Sequence, residues 1–292
     1  MSEGHKKMTF IVNPISGGGK GIRIKKILES TDLSNTHDVV IHTTTVIGEA
    51  FEVTKKAVEN QTDIVVAVGG DGTVNEIGSA LIGSNTIMGI IPAGSGNGLA
   101  NHLDIPSNIQ KAIELLKRNT VKDIDTGTMN NRPFMNVAGT GLDAQISRKF
   151  AQSKKRGWFN YFKIMLLTGT NIIESNFHIK YNGTERTVNA YMITAANSTQ
   201  FGNNARIAPH ANIEDGKIDI CIMKGTGLLR SALSLYKLMT GSLKNGKYYE
   251  TFQTDEIEIG NTDGWGHVDG EPCKLDGTIH INVNPKSLKV IC

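Results

Sequence analysis

The first part of the chain alternates short apolar runs with longer segments of helical periodicity. The apolar runs are rich in β-branched residues, which favour strands, and they lie at residues 9–12, 38–41, 64–68 and 87–91. This alternation is typical of buried parallel strands that are joined by crossover helices. We therefore predict an open α/β domain over residues 1–125.

The pattern changes near residue 126, where alternating apolar and polar positions become frequent. The predicted helices are 142–151, 158–170 and 226–240, and the predicted strands are 175–181, 187–196, 217–223, 250–259, 265–269, 278–283 and 287–291. Asn182-Gly183 between the first two of these strands is a hairpin turn signal. Strands joined in this way predict an antiparallel sandwich over residues 126–292.

Glycine-rich turns follow three of the four predicted strands of the first domain. The first glycine turn covers residues 13–21, the second covers 69–76 and the third covers 92–98. In open α/β sheets, ligands bind outside the carboxyl ends of the strands. We therefore expect the three turns to face one crevice.

The second glycine turn, with the sequence GGDGT at residues 69–73, suits a phosphate group. Glycines let the backbone approach a ligand closely, and the N–H groups at the start of the next helix attract anions. The carboxylate of Asp71 would repel a phosphate unless it orders the turn, binds a ribose hydroxyl or acts through Mg²⁺. Alternatively, Asp71 caps the helix that begins near Thr73.

The other two turns support the same interpretation less specifically. In the third turn, Ser95 and Asn97 are either nucleotide contacts or helix caps, and the turn lacks the GxGxxG spacing of hydride-transfer enzymes. The first turn, with Ser16 and Gly17, is similar to a P-loop but has Gly21 where a P-loop needs Ser or Thr. We interpret the first turn as a wall of a nucleotide site.

Composition and charge limit the class of protein. The formal net charge of +3 on 292 residues gives no support for a nucleic-acid partner. Cys221, Cys273 and Cys292 lack CxxC spacing, which favours a cytoplasmic protein without a zinc site or disulfide framework. No apolar run reaches membrane-spanning length, so a membrane contact would be peripheral, at the inner surface. Basic and aromatic residues 154–163 could form such a contact, or could be core aromatics beside a solvated loop.

Three motifs in register carry a family resemblance. NPxSG at residues 13–17, GGDGT at 69–73 and PxGSGN at 92–97 resemble the diacylglycerol kinase catalytic family, which includes bacterial lipid kinases and sphingosine and ceramide kinases. GGDGT alone is less specific, since NAD kinases and phosphofructokinases use similar turns. The resemblance continues through residues 125–127, 134–139, 214–216 and 268–271, and so covers essentially the whole chain.

The resemblance implies a fold and a set of site residues. The fold would be an ATP-binding α/β domain and a β-sandwich domain with the active site between them, the last strand returning to the first domain. The implied nucleotide contacts, taken together with those from the glycine turns, are Asn13, Ser16, Gly17, Thr44, Gly70, Asp71, Gly72, Thr73, Val74, Asn75, Glu76, Ser95 and Asn97. ATP would be the phosphoryl donor and Mg²⁺ the cofactor.

The resemblance also implies catalytic and metal-binding carboxylates. Glu271 would be the general base, with Asp71 as the second catalytic residue. A structural magnesium loop would use Asp215, the Lys217 carbonyl and Asn212, and Asp125 would join a catalytic acidic network. Many bacterial members carry an acidic residue where this chain has Gly98, whereas sphingosine and ceramide kinases have a small one, so the acceptor lipid stays open.

Elementary chemistry supports Glu271 independently of the resemblance. Phosphoryl transfer to an alcohol needs positioning, charge stabilisation and a carboxylate that accepts the hydroxyl proton. The same residues, Asp269-Gly270-Glu271-Pro272, also have the composition of a plain hairpin turn, and a turn can present a carboxylate.

The expected function is therefore an ATP-dependent lipid kinase. Its acceptor would be a hydroxyl of diacylglycerol or of a sphingoid-like lipid. A kinase of a soluble hydroxyl compound and a catalytically silent nucleotide-binding regulator remain alternatives. The oligomeric state stays open, with a homodimer as one option.

Overall fold

The computed structural model describes residues 5–118, 120–153, 164, 167–168, 173–225, 227–260 and 262–292, with the side chains of 228–231 left aside. Most of the predicted helix 158–170 and the basic, aromatic segment 154–163 lie outside these residues. The chain divides into two compact units. The first comprises Met1–Ile124 and Lys286–Cys292, and the second comprises Asp125–Pro285.

The first unit is an α/β domain around a parallel sheet. Its strands are β1 (Lys6–Val12), β2 (His37–Thr43), β3 (Ile64–Gly69) and β4 (Ile87–Pro92), in the order β2-β1-β3-β4. Its helices are α1 (Ser16–Leu28), α2 (Glu49–Glu59), α3 (Asp71–Leu81), α4 (Gly98–His102) and α5 (Ile109–Arg118). The predicted parallel α/β architecture is confirmed.

Burial of the central strands explains why their sequences are continuously apolar. Every residue of β3 is buried, as expected for a parallel strand covered on both faces. Helix α5 packs closely on the sheet, since a Cβ on Gly89 would lie 2.5 Å from Leu116 Cδ2. The end of the chain completes this sheet, because Val290 pairs with Met88 of β4 in parallel.

The second unit is a sandwich of largely antiparallel strands. Its elements, with β5 and β16 extending into the first unit, are β5 (Val121–Met129), β6 (Arg132–Phe134), β7 (Val137–Gly141), α6 (Leu142–Gln152), β8 (Ser175–Tyr181), β9 (Thr184–Ala190), β10 (Met192–Ala196), β11 (Ile218–Met223), α7 (Leu228–Thr240), β12 (Tyr249–Thr254), β13 (Glu256–Gly260), β14 (Trp265–Val268), β15 (Glu271–Lys274) and β16 (Ile279–Ile291).

Two sheets enclose the core of this unit. One has the order β12-β11-β10-β7-β14-β15, and the other contains β9, β8, β13 and the first half of β16, with β5 and β6 beside it. Their inner faces contribute Phe134, Ile193, Ile220 and Ile257 to one apolar core. The predicted β-sandwich is confirmed, and so is the hairpin at Asn182-Gly183, which joins β8 to β9.

Several strand predictions need correction. The predicted strand 187–196 is two strands, because the chain leaves β9 in one sheet and enters β10 in the other at Tyr191. The predicted strand 250–259 is likewise divided at Asp255 between β12 and β13. The predicted strands 278–283 and 287–291 are parts of one strand, β16, which begins at Ile279 and continues through residues 284–286.

Candidate active site

The three glycine turns meet at the carboxyl edge of the parallel sheet, as predicted. Asn13 Nδ2 in the first turn donates a hydrogen bond of 3.1 Å to Thr73 Oγ1 in the second. Between the second and third turns, Ala93 N donates to the Gly69 carbonyl at 2.7 Å. Lys20 Nζ donates to the Pro92 carbonyl at 3.4 Å, which joins the first turn to the third.

Close backbone contacts explain part of the glycine content of these turns. A Cβ on Gly17 would lie 2.2 Å from the Ala93 carbonyl oxygen, and a Cβ on Gly94 would lie 2.5 Å from Gly70 Cα. Any side chain at Gly17 or Gly94 would therefore push the turns apart. These glycines are required by the packing of turn against turn, whether or not a ligand approaches.

Asp71 fastens the second turn to the third. Its Oδ2 accepts from Asn97 N at 2.9 Å and its Oδ1 accepts from Gly98 N at 2.6 Å. The alternative in which Asp71 caps its own helix is wrong, because Gly70 is the N-cap of α3 and no side chain caps that helix end. Two N–H groups that the third turn could offer to a phosphate are thus bonded to Asp71.

Asn97 shapes the third turn through its own side chain. It has a left-handed backbone with φ of 51°, its Oδ1 accepts from Gly94 N at 2.9 Å and its Nδ2 donates to the Gly94 carbonyl at 3.0 Å. It stands at the N-cap position of α4 without capping that helix. Ser95, two residues earlier, is exposed, and its contact with a nucleotide stays a prediction.

Backbone N–H groups suited to an anion remain at two places. The first turn of α3, which begins at Asp71, presents N–H groups that have no partner within the helix, together with the positive end of the helix dipole. Gly17, Gly18 and Gly19 have left-handed backbone and form a turn at the start of α1; Gly19 N donates to the Ile15 carbonyl at 3.4 Å, which leaves the N–H groups of Gly17 and Gly18 as the candidates for an anion. The geometry of this edge therefore suits phosphate groups.

The remaining predicted nucleotide residues lie around the same edge. Thr44 is buried, and its N–H donates to the Val12 carbonyl at 2.9 Å. Glu76 Oε1 accepts from Gly48 N at 3.2 Å, which ties α3 to the loop before α2. The side chain of Val74 is only 6% exposed and its N–H donates to the Gly70 carbonyl at 3.0 Å, and its contact with a nucleotide stays a prediction.

Glu49 holds the loop that carries Thr44. Its Oε2 accepts from Thr45 N at 2.6 Å and from Val46 N at 3.2 Å, and its Oε1 lies 2.8 Å from His42 Nε2. The hydrogen bond from Thr45 N, followed by that from His42, lowers the pKa of Glu49 from 4.5 to about 2. A lowered carboxylate pKa means that the folded protein favours the ionised form.

We expect this stabilisation by Glu49 to disappear only in strong acid. Because the folded pKa lies below the unfolded value, the contribution is fully present above pH 4.5 and is lost as the pH falls toward about 2. The check is the urea midpoint of the wild type and of Glu49→Gln across this pH range. The difference between them should be constant above pH 4.5 and should shrink below it, whereas Glu52→Gln on the same helix, which removes none of these hydrogen bonds, should change the urea midpoint less. A constant difference down to pH 2 would contradict this role.

Glu271 in the second unit begins β15 at a two-residue hairpin turn. Asp269 and Gly270 form the turn with φ of 47° and 85°, the pair of positive values typical of a type I′ turn. The hairpin interpretation is thus confirmed, and the side chain of Glu271 is exposed at the end of the turn. Its role as a general base stays a prediction.

Asp269 anchors this hairpin rather than standing free. Its carboxylate accepts hydrogen bonds from the backbone N–H groups of Met135, Asn136 and Val137 at 2.9, 2.9 and 3.0 Å. Asp269 N in turn donates to the Val137 carbonyl at 2.8 Å. These hydrogen bonds engage the Asp269 carboxylate in holding the turn, so Glu271 is the better candidate for a base.

A buried polar pair beneath the hairpin was not predicted from the sequence. His267 is only 1% exposed, and its Nδ1 accepts a hydrogen bond from Gly270 N at 3.3 Å. Its Nε2 lies 3.0 Å from Asp143 Oδ2, which is within ion-pair distance, but the two atoms are not aligned for a hydrogen bond. Thr194 Oγ1 donates to the same Asp143 oxygen at 2.7 Å. A Cβ on Gly139 would lie 2.4 Å from that oxygen. The sequence signal that could have found this pair is Asp143, a carboxylate on the buried face of α6.

The predicted magnesium residues of the second unit are engaged with backbone groups. Asp125 is fully buried, and its Oδ2 accepts from Gly216 N at 2.6 Å. Asp215 Oδ1 accepts from Lys217 N at 2.9 Å, and Asn212 Oδ1 accepts from Glu214 N at 3.1 Å. Within the described ranges, no group of three or more His, Cys, Asp or Glu side chains could hold a metal ion. A magnesium site at these residues stays a prediction.

Comparison with known proteins shows which class this fold and these turns represent. The model of the diacylglycerol kinase catalytic domain matches residues 7–129, and that of the YegS C-terminal NAD kinase beta sandwich-like domain matches residues 136–292. The chain therefore belongs to the diacylglycerol kinase catalytic family, with the YegS type of second domain, which is a family of lipid kinases. Among the described residues, no helix is both long and apolar enough to cross a membrane.

Relatives and solved structures agree with this assignment. The chain is 28% identical over 264 residues to a "Probable lipid kinase YegS-like" protein of Chromohalobacter salexigens, covering 87% of this chain and 85% of the relative. It is 26% identical to the diacylglycerol kinase of Bacillus subtilis, covering 96% and 97%. The crystal structure of a diacylglycerol kinase from Bacillus anthracis has the same fold, with a TM-score of 0.77 at 21% identity and coverage of 100% and 98%.

Proposed function

We propose that this protein is an ATP-dependent kinase that transfers the γ-phosphoryl group to a hydroxyl of diacylglycerol or of a sphingoid-like lipid. The observation that carries the proposal is the joining of three glycine turns at one sheet edge, with Asp71 hydrogen-bonded to the third turn. Membership of a lipid kinase family supports the same reaction.

The chain's own groups suit the charge movement of this reaction. Phosphoryl transfer needs the phosphates held in place and their negative charge stabilised. The N–H groups at the start of α3, together with those of Gly17 and Gly18, would supply that stabilisation without reorganisation, because the backbone holds them in place. Glu271 is the proposed acceptor of the hydroxyl proton, which makes the lipid oxygen the better nucleophile.

Mg²⁺ is proposed as the cofactor of the reaction, bound together with the nucleotide. Magnesium usually binds one or two protein carboxylates together with substrate phosphates and water, rather than a cage of protein ligands. Asp71 is the carboxylate proposed for that pattern, because it lies in the GGDGT turn at the first turn of α3, where the phosphates would bind. When bound, the ion would offset the charge of the triphosphate.

The test is transfer of label from γ-labelled ATP into an extracted lipid mixture. We expect a labelled lipid that depends on Mg²⁺ and is strongly reduced in Asp71→Ala, but not in Asp38→Ala, which removes an exposed carboxylate elsewhere in the same unit. Label that appears only in water-soluble compounds would favour a kinase of a soluble acceptor. Nucleotide binding without any transfer would favour the regulatory alternative.

A further inference from the structure

Helix α7 of the second unit exposes an apolar face in addition to the one that it buries. Leu233 is 51% exposed, Tyr236 64% and Met239 37%. Their spacing of three residues places them along one side of the helix. The other side packs inward, since Leu238 is buried in the core and Ser234 hydrogen-bonds Tyr191. A surface helix normally turns polar residues outward, so this second apolar face needs an explanation.

The loop after the helix, residues 241–248, adds an exposed aromatic side chain and exposed lysines beside this face. Tyr248 is 37% exposed, and Lys247 Nζ lies 5.6 Å from the centre of its ring. Lys244 is also exposed. We call Leu233, Tyr236, Lys237, Met239, Lys244, Lys247 and Tyr248 the α7 surface.

The charge of this stretch has one sign. Residues 220–249 contain no Asp or Glu, and their basic residues are Lys224, Arg230, Lys237, Lys244 and Lys247. Glu250, the next carboxylate along the chain, is engaged by Lys224 Nζ at 2.6 Å and by Arg186. In the part of the chain that the structure describes, no ion pair joins a carboxylate to Lys237, Lys244 or Lys247.

We propose that the α7 surface binds the face of an anionic lipid bilayer. Exposed Leu, Tyr and Met side chains would enter the boundary between headgroups and acyl chains, and the three lysines would face anionic headgroups. A second copy of the chain fits less well, because a two-fold contact would bring the lysines of both copies together without acidic partners. The surface is separate in sequence from residues 154–163 and extends the proposed function, because it would bring the enzyme to a membrane-embedded acceptor.

The experiment is co-sedimentation of the full chain with vesicles, without ATP. We expect binding to vesicles that contain phosphatidylglycerol and weak binding to pure phosphatidylcholine. Leu233→Ser with Tyr236→Ser, and separately Lys244→Glu with Lys247→Glu, should each weaken binding at least about tenfold. The matched controls are Ile22→Ser, at an apolar side chain 49% exposed, and Lys111→Glu, at an exposed lysine, and both should bind like the wild type.

A second measurement keeps the test valid if a double variant fails to fold. Tyr236→Trp retains an aromatic side chain, and its difference fluorescence should shift to the blue with anionic vesicles and not with neutral ones. Vesicle binding that the α7 variants leave unchanged, or no spectral shift at position 236, would overturn the proposal. So would self-association in solution that the same variants abolish, since that result identifies a second copy as the occupant.

Failure of the proposed function is distinguishable from failure of this surface. Phosphorylation of a short-chain diacylglycerol that is dispersed as monomers should be equal in the α7 variants and the wild type, while phosphorylation of vesicle lipid should fall. Vesicle binding with the expected variant pattern but no kinase activity would overturn the kinase proposal and support the surface. Equal loss of activity on dispersed and vesicle lipid would count against the surface.

Discussion

Glu271→Gln is expected to lower kcat by about two to four orders of magnitude while ATP affinity stays nearly unchanged. Glutamine keeps the size of the side chain but cannot accept the proton of the attacking hydroxyl. Since Glu271 is exposed at the start of β15, the substitution should cost little stability. The measurements are steady-state phosphorylation of the lipid acceptor, nucleotide binding by calorimetry and the melting temperature.

A matched control makes this result specific. Glu256→Gln changes an exposed glutamate at the start of another strand of the same unit, β13, and should leave kcat within about twofold of the wild type. If Glu271→Gln keeps full activity, the residue is only part of a hairpin turn, and the proton acceptor must be sought elsewhere.

Asp71→Asn should impair both activity and stability. From the sequence alone, asparagine would keep the shape of this side chain at little cost in stability. The structure changes that expectation, because both carboxylate oxygens accept backbone N–H groups and the amide nitrogen of asparagine cannot. One of Asn97 N and Gly98 N would lose its partner, at a cost of about 1–3 kcal/mol. Urea denaturation measures this loss, and kcat is expected to fall by about two orders of magnitude or more because the site also loses the carboxylate proposed to bind Mg²⁺.

Asn97→Gly separates the two effects of Asp71→Asn. Glycine accepts the left-handed backbone at position 97 and keeps its N–H to Asp71, but removes the side-chain bridge to Gly94. It should therefore loosen the third turn without changing its charge. Equal losses of activity at equal losses of stability in the two variants would mean that Asp71 acts only through turn geometry.

Strands β3 and β4 could be predicted because a parallel strand that is covered on both faces has a continuous apolar sequence, whereas the edge strand β2 was indicated by its β-branched residues. The same reasoning missed β7, whose residues Val137–Gly141 are buried but include two glycines, and β5, which contains Asp125 and Gly127. It also merged β9 with β10, because strand periodicity does not report the residue at which a chain passes between sheets.

The meeting of the glycine turns could be predicted, since strand ends of a parallel sheet share one edge. The partners of Asp71 could not, because Asn97 and Gly98 lie 26 and 27 residues away and the bonds depend on backbone geometry there. The contact between His267 and Asp143 was missed for the same reason, as it joins a strand to a helix distant in sequence.

The return of Lys286–Cys292 to the first unit affects how the protein can fold while it is being translated. Cys292 N bonds the Thr120 carbonyl, Gly83 N bonds the Ser287 carbonyl, and Lys289 Nζ lies 2.7 Å from Asp123 Oδ1. A ribosome must therefore translate the whole second unit before the first can acquire its last strand. Until then the edge of β4 is unpaired, so a fragment that ends at residue 124 should aggregate more readily than one to which residues 286–292 are fused.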